Sequence, residues 1–430
     1  MSESTGKKGL TRRDFVKTAG LTAVAAGAVS LGLPKVVKRA VAAERDSILI
    51  GRPNPATGPL AGFGEASPWA DDNVIDFINK AGGVYLEELG KSVPLKMKML
   101  DTESNPTKAA ELAAKMIKSD KIDLMVVMHT PDTANPVSGV CEREKMPCIA
   151  VDVPIESWLT GAPYYWTFAA YWTVDALSDV YMAMWEKYAD KTNKIVGGFF
   201  PNDPDGIFWG ELFHKKAPAK GYKVIDPGRI PFGTPDFSGM VDLFKREKVE
   251  IIAGVPIPPD FAKFWKQCHQ LGYKPKICTV GRAMDFAGDA ISLGDTLANG
   301  ITLELAWSEF HQYKSSITGE TAKQVCDAWM DKTNRYWNQF IGCKHCGWEI
   351  ALDALKRAKT LDREKLRAAI AETDLDTIMG HIKYNKDNWS PTPIVGCQWI
   401  KGKRFPWEMQ IVVNMGIKEI PVTGEMIFPL

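Results

Sequence analysis

The chain has 430 residues, of which 45% are hydrophobic and 24% are charged, a composition typical of globular proteins and long enough for two or three domains. Lysine and arginine number 53 and aspartate and glutamate number 52. This balance leaves no basic excess for nucleic acid and no acidic excess for a basic partner, so nucleic-acid binding is not predicted.

The N-terminal residues have the three-part pattern of a removable signal peptide. Residues 11–17 (TRRDFVK) carry paired arginines, residues 18–33 form an apolar stretch of small residues, and residues 40–43 (AVAA) provide an A-x-A-type cleavage site. The arginine pair and the residues after it resemble the motif of twin-arginine signals. We therefore expect residues 1–43 to direct export to the periplasm by the twin-arginine machinery, with cleavage after Ala42 or Ala43.

Short apolar runs then alternate with longer amphipathic ones. This pattern predicts strands at 48–50, 95–99, 123–128 and 148–151, and helices at 68–80, 107–118 and 136–144. The helix at 107–118 is the best specified, because Asn105 can cap it and Pro106 suits its first position. Strands that alternate with helices predict a parallel sheet covered on both sides.

A second round of the same alternation begins at Lys194. It predicts strands at 195–199, 222–225, 251–254 and 276–280, and helices at 208–217, 237–245 and 259–271. An aromatic stretch at 164–172 separates the two rounds, and after residue 300 the pattern predicts a strand, three helices and a β-like tail at 378–411. We therefore expect two similar lobes, with a ligand site in the crevice at the carboxyl ends of their strands.

The eight cysteines are too sparse for a disulfide-stapled scaffold. Candidate local disulfides are Cys141 with Cys148, Cys268 with Cys278, and Cys343 with Cys346, and buried thiols are the alternative. The segment 343–346 (CKHC) also has the spacing of half a zinc site. No second C-x-x-C or H-x-x-x-H occurs, so neither a metal nor another cofactor is predicted.

Three segments resemble one known family. They are residues 57–64 (TGPLAGFG), 101–110 (DTESNPTKAA) and 377–384 (TIMGHIKY). Their order and spacing are similar to those of the leucine/isoleucine/valine-binding family of type I periplasmic binding proteins, over about residues 47–396. The resemblance implies capture of a small-molecule ligand, without chemistry, for the permease of an ABC transporter.

The resemblance also implies the architecture. The expected fold is α/β, with two Rossmann-like lobes whose parallel-rich sheets are joined by a three-crossing hinge near Phe168, Thr302 and Met379. The implied lobe I comprises residues 44–168 plus 303–378, and the implied lobe II comprises residues 169–302 plus 379–430.

Two loops of the first lobe hold the ligand carboxylate in the amino-acid binders of this family. Here the first contains Thr130, Asp132 and Thr133, and the second contains Asp152. Prolines at 131 and 154 stand where the family has hydroxyl residues, and the aspartates would repel a carboxylate. A small polar or aromatic organic ligand is therefore expected in place of an α-amino acid.

The second lobe and the hinge supply the other candidates. Asp205 stands at the family's aromatic-glycine position, and Arg282 stands where amino-acid binders place a glutamate against the ammonium group. Arg282 suits an acidic group of the ligand, or pairs with Asp152 or Asp205. Phe63 and Tyr171 are the expected aromatic contacts.

Two alternative functions use the same leader. An exported enzyme is disfavoured, because no G-x-S-x-G elbow, H-E-x-x-H pair or G-x-x-x-x-G-K-[ST] loop occurs and no catalytic residue stands out. An exported sensor or regulator could use the same two-lobed fold without a transporter.

Overall fold

Two parallel-rich sheets organise residues 46–430, the part of the chain that this computed structural model describes. The predicted leader at residues 1–43 lies outside the described residues. The strands are β1 (Ile48–Asn54), β2 (Val84–Leu86), β3 (Lys91–Val93), β4 (Leu95–Asp101), β5 (Leu124–Val127), β6 (Cys148–Val151), β7 (Thr167–Ala170), β8 (Ile195–Pro201), β9 (Lys223–Ile225), β10 (Arg229–Ile230), β11 (Ile251–Gly254), β12 (Ile277–Val280), β13 (Thr302–Leu305), β14 (Asp374–Thr377), β15 (Gly380–Lys383), β16 (Trp389–Ser390), β17 (Val395–Lys401) and β18 (Trp407–Val413). The helices are α1 (Ala61–Gly64), α2 (Ser67–Lys80), α3 (Pro106–Lys118), α4 (Thr130–Glu144), α5 (Ile155–Leu159), α6 (Val174–Glu186), α7 (Pro204–Ala219), α8 (Ser238–Arg246), α9 (Pro258–Gln270), α10 (Ala287–Ser292), α11 (Ala322–Thr333), α12 (Phe340–Ala358) and α13 (Arg363–Ala371).

The first sheet has the strand order β16-β7-β6-β5-β1-β4, and every neighbouring pair is parallel. All residues of β5, β6 and β7 are buried, as expected for strands covered by helices on both faces. Helices α3 and α12 pack against this sheet, and α2 packs against α12. We call the sheet and these helices the first lobe.

The second sheet has the order β10-β8-β11-β12-β13-β17-β18, with β9 also paired to β8. Its strands are parallel as far as β13, and β17 and β18 add an antiparallel edge. Helices α6 and α7 pack against it. We call this sheet and its helices the second lobe.

The chain passes between the two sheets at three places. It leaves the first sheet after β7, returns after β13 and leaves again after β16, because β13 pairs with β12 and β17 while β16 pairs with β7. The passages therefore follow Ala170, Leu305 and Ser390, later than the predicted Phe168, Thr302 and Met379. The assignment of residues to lobe I and lobe II stays a prediction.

Local sequence signals explain most of the helix limits. The side chain of Asn105 accepts a hydrogen bond from the Lys108 N–H at 2.9 Å, so the predicted cap of α3 is confirmed. Helix α4 begins at Thr130, earlier than the predicted 136, because Pro131 occupies the first turn and Pro136 is accommodated inside the helix. Helix α6, which the aromatic stretch obscured, was not predicted.

All eight cysteines are buried and free, so the predicted local disulfides are wrong and the alternative of buried thiols holds. Cys343 lies 3.7 Å from the Gln339 carbonyl oxygen and Cys346 lies 3.6 Å from the Thr377 hydroxyl, so the two thiols of the CKHC segment have separate partners. Within residues 46–430, no group of three or more His, Cys, Asp or Glu side chains is placed to hold a metal ion. No helix in this range is long and apolar enough to cross a membrane.

Candidate functional site

A cavity lies where the carboxyl ends of the strands of both lobes meet. Helix α12 and the first passage between the sheets complete its wall. The cavity is about 30 Å³ in volume, and the residues that line it are Phe63, Thr130, Asp152, Pro154, Tyr171, Trp172, Asp205, Trp209, Val255, Arg282, Asp285, Glu304 and Phe340. The structure thus brings six of the eight predicted site residues together at one place.

The other two predicted residues, Asp132 and Thr133, do not line this cavity. Both lie in the first turn of α4, where Thr133 is buried among core residues. Burial, together with the nearby charge of Asp203, raises the pKa of Asp132 to about 6, while Arg282 acts in the opposite direction. Asp132 does not line the cavity, but its carboxyl group interacts electrostatically with Asp203 and Arg282.

Left-handed backbone conformations mark the loops that carry these residues. His129 and Thr130, after β5, have φ of 77° and 54°, Asp152, after β6, has φ of 63°, and Arg282, after β12, has φ of 54°. Non-glycine residues rarely adopt such values, and residues that do so cluster at functional sites. These turns redirect the chain at the strand ends, and the side chains of Thr130, Asp152 and Arg282 line the cavity between the lobes.

Arg282 is already committed to groups of its own lobe. Its guanidinium donates to Asp203 at 2.6 Å and approaches Asp205 at 3.4 Å, and it also donates twice to the Val255 carbonyl oxygen. Burial opposes the charge, but Asp203, Asp205 and Asp132 outweigh it and raise the pKa of Arg282. Of the two predicted interpretations, pairing within the protein is the one that the geometry favours.

Two further carboxyl groups of the second lobe face the cavity without a cation of their own. Asp285 accepts a hydrogen bond from the Gln339 amide at 2.8 Å, and Glu304 accepts one from the Tyr181 hydroxyl at 2.7 Å. Burial raises the pKa of each to about 8, and repulsion by Asp152 adds to the effect at Asp285. Burial similarly raises the pKa of Asp205 to about 7, although Arg282 lowers it.

The first lobe balances its charges differently. The ammonium group of Lys344, which is fully buried on α12, donates to the Phe63 carbonyl oxygen at 2.9 Å, and burial lowers its pKa to about 8. Asp152 is buried beside it, and His129 lies 3.4 Å from Asp152. Burial raises the pKa of Asp152 and lowers that of His129, so this histidine is a neutral neighbour.

Several buried polar atoms at the cavity have no hydrogen-bond partner. They include Asp152 Oδ2 and the indole nitrogens of Trp172 and Trp209. Buried polar groups are nearly always paired, because leaving one unpaired costs about 1–3 kcal/mol. Atoms of this kind at a junction between lobes are suited to a ligand.

Three phenylalanines separate this cavity from a second, outer one. The ring of Phe63 lies 5.2 Å from that of Phe286 and 4.8 Å from that of Phe340, measured between centroids. The outer cavity, about 670 Å³ in volume, is lined by Phe63, Phe286 and residues of both lobes. A ligand that entered through the outer cavity would have to pass this phenylalanine cluster.

Comparison with known proteins identifies the architecture. The family model of periplasmic binding proteins matches residues 47–399. The chain belongs to this family. Among curated relatives, the Leu/Ile/Val-binding protein BraC3 of Rhizobium johnstonii is 24% identical over 344 residues, which cover 79% of this chain and 88% of the relative.

Solved structures show the same fold. The leucine-binding protein LivK of Thermotoga maritima superposes with a TM-score of 0.73 at 19% identity, covering 86% of this chain and 99% of that one. A solute-binding protein of an ABC transporter from Rhodopseudomonas palustris, solved with 3,4-dihydroxybenzoic acid, gives a TM-score of 0.67 at 18% identity, covering 86% and 99%. The predicted family and the predicted two-lobed α/β fold are confirmed.

The sequence did not reveal every residue at the site of this periplasmic binding protein. Asp203 was not singled out in the sequence; in the structure it caps α7, since its side chain accepts from the Gly206 N–H at 2.8 Å. Glu304 lies in β13, all of whose residues are buried, and the hydrophobic pattern of a strand does not indicate whether a charged residue within it faces a cavity. Lys344 lies between the residues of a C-x-x-C motif that drew attention to its thiols. A charged residue within a buried element was the available signal in the last two cases.

Proposed function

We propose that the protein is the extracytoplasmic substrate-binding component of an ABC importer and captures one small organic ligand between its lobes. The observation that carries this proposal is the cavity lined by both lobes and by α12, with buried polar atoms that lack partners. Membership of a family of periplasmic solute-binding proteins supports it. Relatives named for branched-chain amino acids and a neighbour solved with an aromatic acid show that the fold accepts several ligand classes.

Capture requires the lobes to separate. The cavity of about 30 Å³ is close to the volume of one water molecule, whereas ligand pockets commonly measure about 300–1,000 Å³. A ligand therefore binds while the lobes are apart, and contacts with both lobes then stabilise the closed arrangement. The three passages between the sheets are the segments that would bend.

Ligand binding can be tested without knowing the ligand. We expect at least one compound from a broad library of amino acids, amines, organic acids and sugars to raise the melting temperature of the mature protein. The same compound should reduce its radius of gyration in small-angle X-ray scattering. No stabilisation and no compaction with any compound would refute the capture proposal.

Uptake measurements distinguish a transporter component from a sensor. In cells that lack the protein, uptake of the radiolabelled stabilising compound should fall and should return when the gene is restored. Unchanged uptake, together with a changed transcriptional response to the compound, would favour the sensor instead.

We also propose export through the twin-arginine pathway, on the basis of residues 11–17. Replacing Arg12 and Arg13 together by lysine should keep the precursor in the cytoplasm, because the machinery recognises the guanidinium pair and not the charge alone. The control replaces Lys7 and Lys8 by arginine and should leave export unchanged. Periplasmic accumulation of the twin-lysine variant at the wild-type level would refute the route.

A further inference from the structure

The charges at the cavity are unequal. Four carboxyl groups line it, those of Asp152, Asp205, Asp285 and Glu304, and the one cation among the lining residues is Arg282. Arg282 is held by Asp203, by Asp205 and by a backbone carbonyl. A ligand in this cavity therefore faces four carboxyl groups and no uncommitted cation among the lining residues. Burial favours the protonated form of these carboxyl groups, and a cation placed among them would favour the ionised form.

Resting on the capture function proposed above, we propose that the ligand is a small protonated amine that lacks a carboxylate. Its ammonium group would lie between Asp152 of the first lobe and Asp285 and Glu304 of the second. In this position it would neutralise Asp285 and Glu304, whose hydrogen-bond donors are neutral, and it would reach the unpaired Oδ2 atom of Asp152.

An unpartnered acceptor supports this assignment independently of the charge count. Asp152 is 3% exposed, and its Oδ2 atom has no hydrogen-bond partner. His129 Nδ1 lies 3.4 Å from this oxygen, but the neutral ring carries its proton on Nε2, which donates to Asn54 Oδ1 at 3.0 Å, so Nδ1 has no proton to give. A buried carboxylate oxygen costs free energy unless a donor reaches it, and an ammonium group has three donors.

The aromatic residues fit the same ligand. Tyr171 and Trp172 have ring centroids 4.8 Å apart, and Trp209 lies 6.1 Å from Trp172, so their rings form a connected surface beside the carboxyl groups. Aromatic faces attract cations. The unpaired indole N–H groups of Trp172 and Trp209 are donors, and they suit a neutral hydroxyl or carbonyl oxygen elsewhere on the ligand.

A carboxylate on the ligand has no favourable position. Pro131 and Pro154 contribute no N–H group at the two first-lobe loops, and Arg282 is committed within the second lobe. An α-amino acid would place its carboxylate near Asp152 or near Asp285 and Glu304. Repulsion in this poorly solvated cavity would oppose its binding.

A matched set of compounds tests the ligand class. Isothermal titration of the mature protein would compare tyramine with tyrosine, which adds a carboxylate, with 4-ethylphenol, which lacks the amine, and with 3-(4-hydroxyphenyl)propanoate, which replaces the amine by an acid. Ethanolamine, putrescine and choline extend the set to aliphatic and quaternary cations.

We expect a primary amine to bind at least about 10-fold more tightly than its neutral or acidic counterpart, since a hydrogen bond to a charged group contributes about 1.5–3 kcal/mol. Tighter binding of tyrosine, of the acid or of the neutral phenol would overturn the ligand class and leave the capture function intact. Preference for choline over every primary amine would also overturn it. Failure of every class of compound to bind would count against the capture function itself.

Isosteric variants locate the ammonium group. The double variant Asp285→Asn with Glu304→Gln keeps acceptors for Gln339 and Tyr181 and removes both charges. It should weaken binding of the primary amine by about 10- to 100-fold, and by at least about 5-fold more than it weakens binding of 4-ethylphenol. The control is Asp376→Asn, an exposed acid on β14. Unchanged amine affinity in the double variant would overturn the proposal, and if that variant fails to fold, the compound set decides on the wild-type protein.

Discussion

The two sides of the cleft balance buried charge in different ways. On the first-lobe side the buried carboxyl groups of Asp152 and Asp71 each have a cation close by, with Lys344 beside Asp152 and Arg52 2.8 Å from Asp71. On the second-lobe side Arg282 is shared between Asp203 and Asp205, and further carboxyl groups have only neutral donors. Charge is thus balanced on the first side before any ligand arrives, whereas the second side remains short of positive charge. The following predictions test this difference, from the largest expected effect to the smallest.

Removal of Arg282 should have the largest effect on stability. Arg282→Met leaves Asp203 and Asp205 buried without a cation, and the free energy of unfolding should fall by about 3–5 kcal/mol, as when one partner of a buried ion pair is removed. Urea denaturation followed by circular dichroism measures the loss. Adding Asp203→Asn to the variant should restore part of the stability.

The control for this prediction is Arg335→Met, which removes a surface ion pair with Glu65. It should cost less than about 1 kcal/mol. An Arg282→Met protein that is as stable as the control but has lost ligand affinity would mean that Arg282 contacts ligand and is not an internal partner.

Removal of Lys344 should cost less. Lys344→Met deprives the Phe63 carbonyl oxygen of its donor, but Asp152 can then take up a proton, since burial already raises its pKa. We expect a loss of about 1–3 kcal/mol in the free energy of unfolding, the cost of leaving a buried acceptor unpaired. A loss larger than that of Arg282→Met, in the same urea titration, would contradict the difference between the two sides.

The stability of the ligand-free protein should fall as the pH rises from 6.5 to 8. The folded pKa values of Asp205, Asp285 and Glu304, at about 7 to 8, lie above the ordinary values near 4, so the folded protein holds more protons than the unfolded chain in this range. Stability conferred by these protons is complete near pH 4 and is lost as the pH passes the folded pKa. Over the first half unit, from pH 6.5 to 7, we expect a decrease of about 1–2 kcal/mol, measured by urea denaturation at both pH values.

Other titratable and charged groups near these carboxyl groups also affect the pH dependence of stability. Asp152, Asp289 and Arg282 act on Asp285, and Tyr181 donates to Glu304. The pKa of Asp289 is raised by burial to about 7, so it titrates in the same range. The double variant Asp285→Asn with Glu304→Gln should therefore flatten the pH dependence without removing it. An equally steep decrease in the variant would show that other groups cause it.

The smallest effect concerns the phenylalanine cluster. A Cβ atom at Gly62 would lie 2.8 Å from the Phe286 ring, whereas one at Gly288 would meet nothing within 4 Å, although both residues line the outer cavity. Gly62→Ala should force Phe286 to shift, disfavour closure and weaken binding of the stabilising compound about 2- to 5-fold, a cost of less than about 1 kcal/mol. Gly288→Ala is the matched control, and equal affinities in calorimetry would contradict a role for this contact in closure.

Sequence patterns predicted the fold well because they depend on local chemistry. Strand β11 spans the predicted residues 251–254, and α3 begins with its predicted cap. The positions of Asp152 and Arg282 were also accessible, since residues after parallel strands lie at the same edge of a sheet.

Pairing between distant residues was not accessible from the sequence. The arginine was expected to bind an acidic ligand group or to pair with Asp152 or Asp205, yet its shortest contact is with Asp203. The choice between these partners depends on how β12 and the first turn of α7 meet in space, which no local pattern encodes. Lys344 likewise reaches Phe63 across 281 positions of sequence.

The burial of all eight cysteines has a practical consequence. Their thiols are shielded from solvent in the folded protein, and burial raises the pKa of most of them, so thiol reagents should react slowly with the native state. Ile291→Cys would place a reactive thiol at the outer cavity, where the side chain is 52% exposed. An environment-sensitive fluorophore attached there would report closure optically and turn the protein into an indicator for its own ligand.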